Sequence, residues 1–212
     1  MEVIVDLDGP ILDVAVRHYA VYCGIADDLA FATLSFDEYW EKKREPLGAA
    51  RILESTGARA LYDAFAERWL QQIELDAYLS MDALQPGATE TLDRWRARGY
   101  RLVLATMRQD PDALARQLAG LDLDRRFETV VVCDRLTGGA GKAASVAAAA
   151  GAAETASCWI GDTEVDIEAA RERGSTAWAL SCGLRAAPYL AARNPDRLCE
   201  YLSDVEPEGE GR

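Results

Sequence analysis

Short apolar runs alternate with amphipathic stretches along most of this chain. The first run, Val3–Val5, stands near the N-terminus, and later runs are Arg101–Thr106, Thr129–Cys133, Ala156–Ile160 and Thr176–Leu180. Continuous apolar runs of this length are typical of strands that are buried on both faces. The amphipathic patterns between them carry helix start and stop residues, beginning at Pro86, Asp110, Lys142 and Thr163 and ending at Gly99, Gly120, Gly151 and Gly174.

This alternation of strands and helices predicts the fold class. A strand, a helix and a further strand form a right-handed crossover, and repeated crossovers build a parallel sheet covered by helices on both faces. We therefore expect an α/β protein with a Rossmann-like parallel sheet. In such sheets ligands bind at the carboxyl ends of the strands.

The alternation is interrupted directly after the first strand. Between about Asp13 and Leu84 the pattern contains helical stretches instead of strands: Ala15–Cys23, Phe36–Glu45, Gly48–Glu54 and Arg59–Ile73. A structureless loop of this length is uncommon in a compact protein. We therefore predict a core of residues 1–13 and 85–212 with a helical cap subdomain, residues 14–84, inserted into it. The acidic tail, Asp204–Arg212, is expected to fray.

Composition and charge exclude several classes of function. The formal net charge of the 212 residues is −13, which argues against a nucleic-acid partner, because binding to a phosphate backbone needs a basic surface. The sequence contains no apolar run of about 18 residues and no secretory signal, so neither a membrane partner nor export is expected. Its five cysteines form no CxxC pair, and Cys133 and Cys158 stand in strand-like runs. We predict that these two are core residues and that the protein is cytoplasmic.

The predicted strand ends carry polar and charged side chains. Asp6 and Asp8 follow the first strand, and Thr106 ends the second. Lys142 begins the helix after the third strand, and Asp162 and Asp166 follow the fourth. Since the carboxyl ends of parallel strands share one edge, these groups are expected to meet.

Two carboxylates at the end of a buried strand are costly unless a cation offsets their charge. Mg²⁺ takes oxygen ligands from one or two carboxylates and from a substrate phosphate. The set therefore suits phosphoryl transfer, in which Asp6 attacks phosphorus and Asp8 acts as the acid and then the base. Mg²⁺ is held by Asp6 and Asp162, while Thr106 and Lys142 stabilise the phosphoryl group.

In order and spacing, Asp6-Leu7-Asp8-Gly9, Thr106, Lys142 and Gly161-Asp162…Asp166 resemble the four motifs of the haloacid dehalogenase-like hydrolase superfamily. The resemblance implies that Asp6 is the nucleophile, Asp8 the acid and base, Asp162 a metal ligand and Asp166 a support for the metal or the lysine. It also implies that the backbone carbonyl of Asp8 binds the metal. A helical insertion after the first motif resembles the cap of phosphoglycolate phosphatase-like and β-phosphoglucomutase-like enzymes.

The chain departs from the family pattern at three places. Pro10 stands where a threonine is usual, and Met107-Arg108 follow Thr106 where a small residue or asparagine is common. The segment around Lys142 lacks the Lys-Pro pair that is often seen in the family. Arg108 is expected either to bind substrate or to be solvated.

The expected function is a Mg²⁺-dependent phosphatase that hydrolyses a small phosphorylated metabolite through an aspartyl-phosphate. A phosphomutase of the β-phosphoglucomutase type and a catalytically silent binding protein are the alternatives. A phosphoreceiver module fits less well, because its acid pair and its phosphoacceptor lie on different strands.

In the insertion, the basic run Lys42, Lys43 and Arg44 either forms a solvated helix face or reaches the substrate's non-phosphoryl end. The single histidine, His18, is expected to lie at the surface or to pack rather than to react.

Overall fold

The computed structural model describes residues 1–151 and 157–207 of the chain. The chain divides into two compact units. We call Met1–Asp13 together with Leu84–Arg212 the core unit, and Val14–Ala83 the helical unit.

The core unit is built on a six-stranded parallel sheet with the strand order β5-β4-β1-β6-β7-β8. A separate pair, β2 and β3, forms a two-stranded sheet where the chain leaves and rejoins the core unit. The strands are β1 (Glu2–Val5), β2 (Leu12–Asp13), β3 (Ala83–Leu84), β4 (Arg101–Thr106), β5 (Thr129–Val132), β6 (Ser157–Gly161), β7 (Thr176–Leu180) and β8 (Arg197–Cys199). The predicted α/β class with a parallel sheet is confirmed. Of the predicted fourth strand, Ala156 lies outside the described residues.

Helices connect the strands of the core unit and build the helical unit. They are α1 (Ala15–Leu29), α2 (Phe36–Lys43), α3 (Gly48–Ser55), α4 (Tyr62–Gln72), α5 (Asp76–Leu79), α6 (Ala88–Ala97), α7 (Pro111–Gly120), α8 (Gly138–Ala150), α9 (Glu164–Arg173) and α10 (Ala187–Ala191). Two 3₁₀ helices cover Arg59–Leu61 and Leu202–Asp204. No helix within the described ranges is long and apolar enough to cross a membrane.

Helix α8 begins four residues before Lys142, so the prediction that the helix starts at this lysine is wrong. Three of the first four residues of α8, Gly138, Gly139 and Gly141, are glycines, which are poor helix formers in isolation, and tertiary packing overrides their propensity. Gly139 lies against α9 so closely that a Cβ atom there would meet Glu168 and the backbone of Ala169. Lys142 therefore lies one turn inside the helix.

The sequence pattern missed two elements near the C-terminus, α10 and β8. Strand β8 is three residues long, with Leu198 exposed and with a charged residue at its start. It lies at the edge of the sheet beside β7. A short edge strand of mixed polarity carries no apolar run, so the pattern could not identify it.

The tail is packed where it is described, which contradicts the expected fraying for Asp204–Pro207. Val205 is fully buried, and the carboxylate of Glu206 pairs with Arg98 at 2.8 Å. The hydroxyl of Tyr100 donates to the carbonyl of Pro207 at 3.3 Å. The remaining predicted tail residues, Glu208–Arg212, lie outside the described part of the chain.

The helical unit has an aromatic core of its own. Tyr22 and Tyr39 stack at 4.7 Å between ring centroids, and Phe65 stacks on Trp69 at 5.8 Å. The ring of His18 is buried and meets Trp69 edge-on at 5.2 Å. His18 is thus a packing residue, which is one of the two roles predicted for it.

The interior of the core unit is lined by small and branched apolar side chains. Cys133 and Cys158 are buried free thiols, as predicted. One cluster joins a single face of several strands to α8 and α9. Alanines are numerous in this cluster, and they leave room for one large side chain, Trp159.

A buried carboxylate fixes the start of β1. Glu2 is fully buried, and its two oxygens pair with Arg173 at 2.6 Å and with Arg101 at 3.2 Å. The same arginines donate to carbonyls at the end of α8: Arg101 to that of its last residue, Ala150, and Arg173 to that of Gly151, the residue that follows. The ion pairs therefore tie the first strand to the end of a helix far along the chain.

We predict that Glu2→Gln lowers the free energy of unfolding by about 3 kcal/mol, because it leaves buried arginine charge without its partner. Urea unfolding measures this change. Glu128→Gln is the matched control, because Glu128 also pairs with Arg101 at 3.2 Å but its side chain is 64% exposed. We expect its loss to stay below about 1 kcal/mol. Equal losses in the two variants would contradict a role for burial.

Candidate active site

The register of the sheet delivers three polar residues to one edge. Val5 pairs with Leu104 of β4 and with Ile160 of β6. Asp6, Thr106 and Asp162 therefore stand at the carboxyl ends of three adjacent strands. The side chains of these residues are buried. The backbone N–H of Asp6 donates to the carbonyl of Ile160 at 2.9 Å, which extends the strand pairing to the first carboxylate.

Lys142 joins these residues from the second turn of α8. Its Nζ lies 3.0 Å from Oδ2 of Asp6 and 2.7 Å from Oδ1 of Asp166, and the side chain is fully buried. Burial disfavours the ammonium form, but the charges of Asp166 and Asp6 outweigh it and raise the pKa of Lys142. The lysine is thus a fixed cation at this edge of the sheet.

Asp166 is held by four donors, so both of its oxygens are occupied. Oδ1 accepts from Lys142 and from the indole Nε1 of Trp159 at 3.2 Å. Oδ2 accepts from the hydroxyl of Thr163 at 2.7 Å and from its backbone N–H at 3.3 Å. Thr163 is the N-cap residue of α9. A Cβ atom at Gly161 would collide with the Asp166 carboxyl group, so this position requires glycine.

Asp162 lies in a narrow cradle of backbone. A Cβ atom at either Gly9 or Gly183 would collide with its carboxyl group. Oδ2 accepts from the backbone N–H of Leu184, whereas Oδ1 is buried with no hydrogen-bond partner among the described residues. Burial, followed by the neighbouring charge of Asp6, raises the pKa of Asp162 well above its usual range.

Three carboxylates in this site are close enough to share a cation. Asp6, Asp162 and Asp166 each offer an oxygen, and these oxygens lie within 4.8 Å of one another. Burial also raises the pKa of Asp6, against the opposing effect of Lys142. A hard divalent cation relieves this accumulation of buried negative charge. Because Asp166 is saturated by its donors, Asp6 and Asp162, with its unpartnered Oδ1, fit the ligand role better.

Asp8 is engaged by an arginine. The Nε and Nη2 atoms of Arg108 contact the two oxygens of Asp8 at 2.8 Å and 2.7 Å. Arg108 is buried, and its backbone N–H lies 3.4 Å from the hydroxyl oxygen of Thr106. Of the two alternatives predicted for Arg108, the solvated one is wrong, because the pairing with Asp8 covers the guanidinium.

The basic run of the insertion lies in the helical unit. Lys42 and Lys43 form the last turn of α2, and Arg44 caps that helix. The ammonium group of Lys43 lies 4.5 Å from the ring centroid of Trp69. A substrate-binding role for these residues stays a prediction.

Sequence reasoning missed three contributors to the site. Trp159 belongs to an apolar run, and such runs do not indicate a hydrogen bond. The loop after β7 brings Gly183 and Leu184 onto Asp162, although no motif marks it. Gln85 donates through Nε2 to the carbonyl of Gly9 at 3.0 Å. Nothing in the sequence around Gln85, which lies just before α6, indicates a hydrogen bond to Gly9.

Comparison with known proteins identifies the family of the chain. A family model described as haloacid dehalogenase-like hydrolase matches residues 3–174 of the chain. That range includes all of the carboxylates, the threonine and the lysine described above. No curated protein matches the chain in sequence.

Solved structures share the fold over nearly the whole chain. A haloacid dehalogenase-like family hydrolase from Streptococcus pneumoniae is 18% identical, with a TM-score of 0.75, and the match covers 96% of this chain and 95% of that one. A predicted phosphatase from Clostridium acetobutylicum is 14% identical, with a TM-score of 0.74 and coverage of 96% and 94%. A predicted phosphoglycolate phosphatase from Haemophilus somnus is 18% identical, with a TM-score of 0.72 and coverage of 96% and 95%. At these identities the likeness concerns the fold.

Proposed function

The chain belongs to the haloacid dehalogenase-like hydrolase family and is a hydrolase; from this we propose that it is a Mg²⁺-dependent phosphatase acting on a small phosphorylated metabolite. The observation that carries the proposal is the contact of Asp6 with Lys142 at 3.0 Å beside the buried Asp162. Nucleophilic attack on a phosphomonoester requires a nucleophile, such as a carboxylate, and positive charge beside the phosphoryl group. Asp6 supplies the carboxylate, Lys142 a fixed cation, and Asp162 a candidate ligand for a metal ion.

The first half-reaction transfers the phosphoryl group to the enzyme. A carboxylate oxygen of Asp6 forms a bond to phosphorus while the bond from phosphorus to the ester oxygen breaks. Asp8 donates its proton to that oxygen, which leaves as an alcohol. Lys142 and the hydroxyl of Thr106 stabilise the negative charge on the phosphoryl oxygens.

The second half-reaction releases phosphate. Asp8, now a carboxylate, takes a proton from water as the water oxygen bonds to phosphorus. The bond between phosphorus and Asp6 breaks, which restores the Asp6 carboxylate and frees inorganic phosphate. The Arg108 contact fixes both oxygens of Asp8, so the acid step requires one of them to be released to carry the proton.

Asp6, Asp162 and the backbone carbonyl of Asp8 would hold the metal. When bound, Mg²⁺ supplies positive charge that lets the anionic ester approach an anionic nucleophile. Asp166 supports this arrangement indirectly, because it orients Lys142 at 2.7 Å.

The helical unit is proposed to act as a cap that selects the substrate. This unit contains the basic run Lys42, Lys43 and Arg44 in a strongly acidic chain. These residues are candidates for recognising the part of the substrate beyond its phosphate. Caps of this kind also exclude water during the reaction.

A phosphate-release screen tests the proposal. Purified protein is incubated with p-nitrophenyl phosphate and with a panel of small phosphorylated metabolites, with Mg²⁺ and with EDTA. We expect phosphate release from at least one compound, its loss in EDTA, and its recovery with excess Mg²⁺. Isomerisation of a sugar phosphate that needs a bisphosphate primer would favour a mutase instead. No turnover of any ester would favour a binding protein.

A further inference from the structure

Trp159 is a buried tryptophan that contacts a charged group of the site. It lies in β6, in register between Ile4 of β1 and Ala177 of β7. Its side chain is completely buried. Its indole Nε1 donates to Oδ1 of Asp166 at 3.2 Å. A purely apolar side chain would satisfy the packing at this position, so the donor calls for an explanation.

The contacts form a continuous series from the sheet interior to the nucleophile. The oxygen of Asp166 that accepts from Trp159 is the same one that accepts from Lys142 at 2.7 Å. The Nζ atom of Lys142 in turn lies 3.0 Å from Asp6, where the series of contacts ends. A carboxylate that bonds to two fixed donors through one oxygen has little freedom to rotate, and its position sets that of the lysine.

We propose that Trp159 is a positioning residue for the reaction, acting through Asp166 to hold Lys142 against the nucleophile. The inference rests on the proposed function. The indole is suited to this task because it combines a large buried surface with one directional donor. Partners that orient a reacting group in this indirect way commonly change activity by about 10-fold or more when they are removed.

A second tryptophan of the core unit provides a matched control. Trp95 of α6 is also fully buried, but its Nε1 has no hydrogen-bond partner among the described residues. Trp159→Phe and Trp95→Phe therefore remove the same atoms from buried positions. Only the first removes a donor to Asp166.

The kinetic test compares these two variants on the best substrate from the phosphate-release screen. We expect Trp159→Phe to lower kcat/KM about 10-fold, and Trp95→Phe to change it by less than about twofold. In an Asp166→Ala background, which lacks the acceptor, Trp159→Phe should cause no further loss. An equal loss with and without Asp166, or equal losses in the two tryptophan variants, would overturn the proposal.

Two further measurements keep the test decisive. If Trp159→Phe does not fold, Trp159 is replaced by 3-benzothienylalanine, which keeps the ring shape and lacks the N–H donor. The same loss of about 10-fold is expected, and unchanged activity would overturn the proposal.

The second measurement is independent of turnover. In an NMR spectrum of the indole N–H groups, Trp159→Phe identifies the resonance of Trp159 among those of the five tryptophans. Asp166→Asn should move this resonance upfield and leave that of Trp95 in place, because the acceptor loses its charge. An unmoved Trp159 resonance overturns the proposal. A wild-type protein without phosphatase activity would instead overturn the proposed function.

Discussion

Asp6→Asn is expected to reduce phosphate release by at least about 10³-fold, because an amide cannot form the covalent bond to phosphorus. The substitution keeps the size of the side chain and removes its charge. Since burial already disfavours the ionised form of Asp6 and raises its pKa, the folded state should tolerate the neutral amide. Steady-state assays with Mg²⁺ measure the loss, and urea unfolding shows that the variant is folded.

The control for this variant is Asp124→Asn. Asp124 belongs to the core unit, its side chain is 46% exposed, and it lies 4.0 Å from Arg125. We expect its activity to stay within about twofold of the wild type. A folded Asp6→Asn protein that retains wild-type turnover would contradict the assignment of the nucleophile.

Lys142→Met is expected to lower kcat/KM by about 10²-fold or more, since it removes a fixed charge from the reacting phosphoryl group. The lysine also lowers the pKa of Asp6. Its loss should therefore raise that pKa further and leave less of the nucleophile ionised at neutral pH. Because two buried carboxylates lose their cation, we also expect a loss of stability of about 3 kcal/mol.

Kinetics and urea unfolding separate the two effects of Lys142→Met, since activity is measured where the variant is folded. Arg125→Met removes a cation whose side chain is 92% exposed and serves as the control. Neither its activity nor its stability should change measurably. A Lys142→Met protein with wild-type kcat/KM would show that the lysine has only a structural role.

The residues predicted for the site were accessible to sequence reasoning because of where they stand. Asp6 and Asp162 each follow an apolar run and Thr106 ends one, and parallel topology sends the ends of such runs to one edge. The structure places their strands side by side in the order β4-β1-β6. For these three residues, the hydrophobic pattern and the shared edge of a parallel sheet were enough to predict that they lie close together.

Other contacts depend on tertiary structure and leave no local signal. Arg108 meets Asp8 across 100 positions of sequence, and the pattern could only offer solvent or substrate as its partner. Gly183 reaches Asp162 because the loop after β7 folds back. The start of α8 was misplaced because the close approach of Gly139 to α9, rather than propensity, decides it.

The choice of lysine at position 142 also gains meaning only from the structure. The chain has 23 basic residues, and only three of them are lysines. A compact ammonium group fits between Asp6 and Asp166 at 3.0 Å and 2.7 Å. The planar guanidinium of arginine needs more space and a different donor geometry. Composition alone could not show that this position demands the rarer residue.

Chemical trapping of the phosphorylated enzyme tests the central claim most directly. The protein is mixed with an excess of its substrate and Mg²⁺, quenched in acid and treated with borohydride, which reduces an acyl phosphate to an alcohol. Peptide mass spectrometry should then find homoserine in place of Asp6, and no such change in the Asp6→Asn variant. Reduction at a different carboxylate, or none in a sample that turns over substrate with a demonstrated phosphoenzyme burst, would contradict the account.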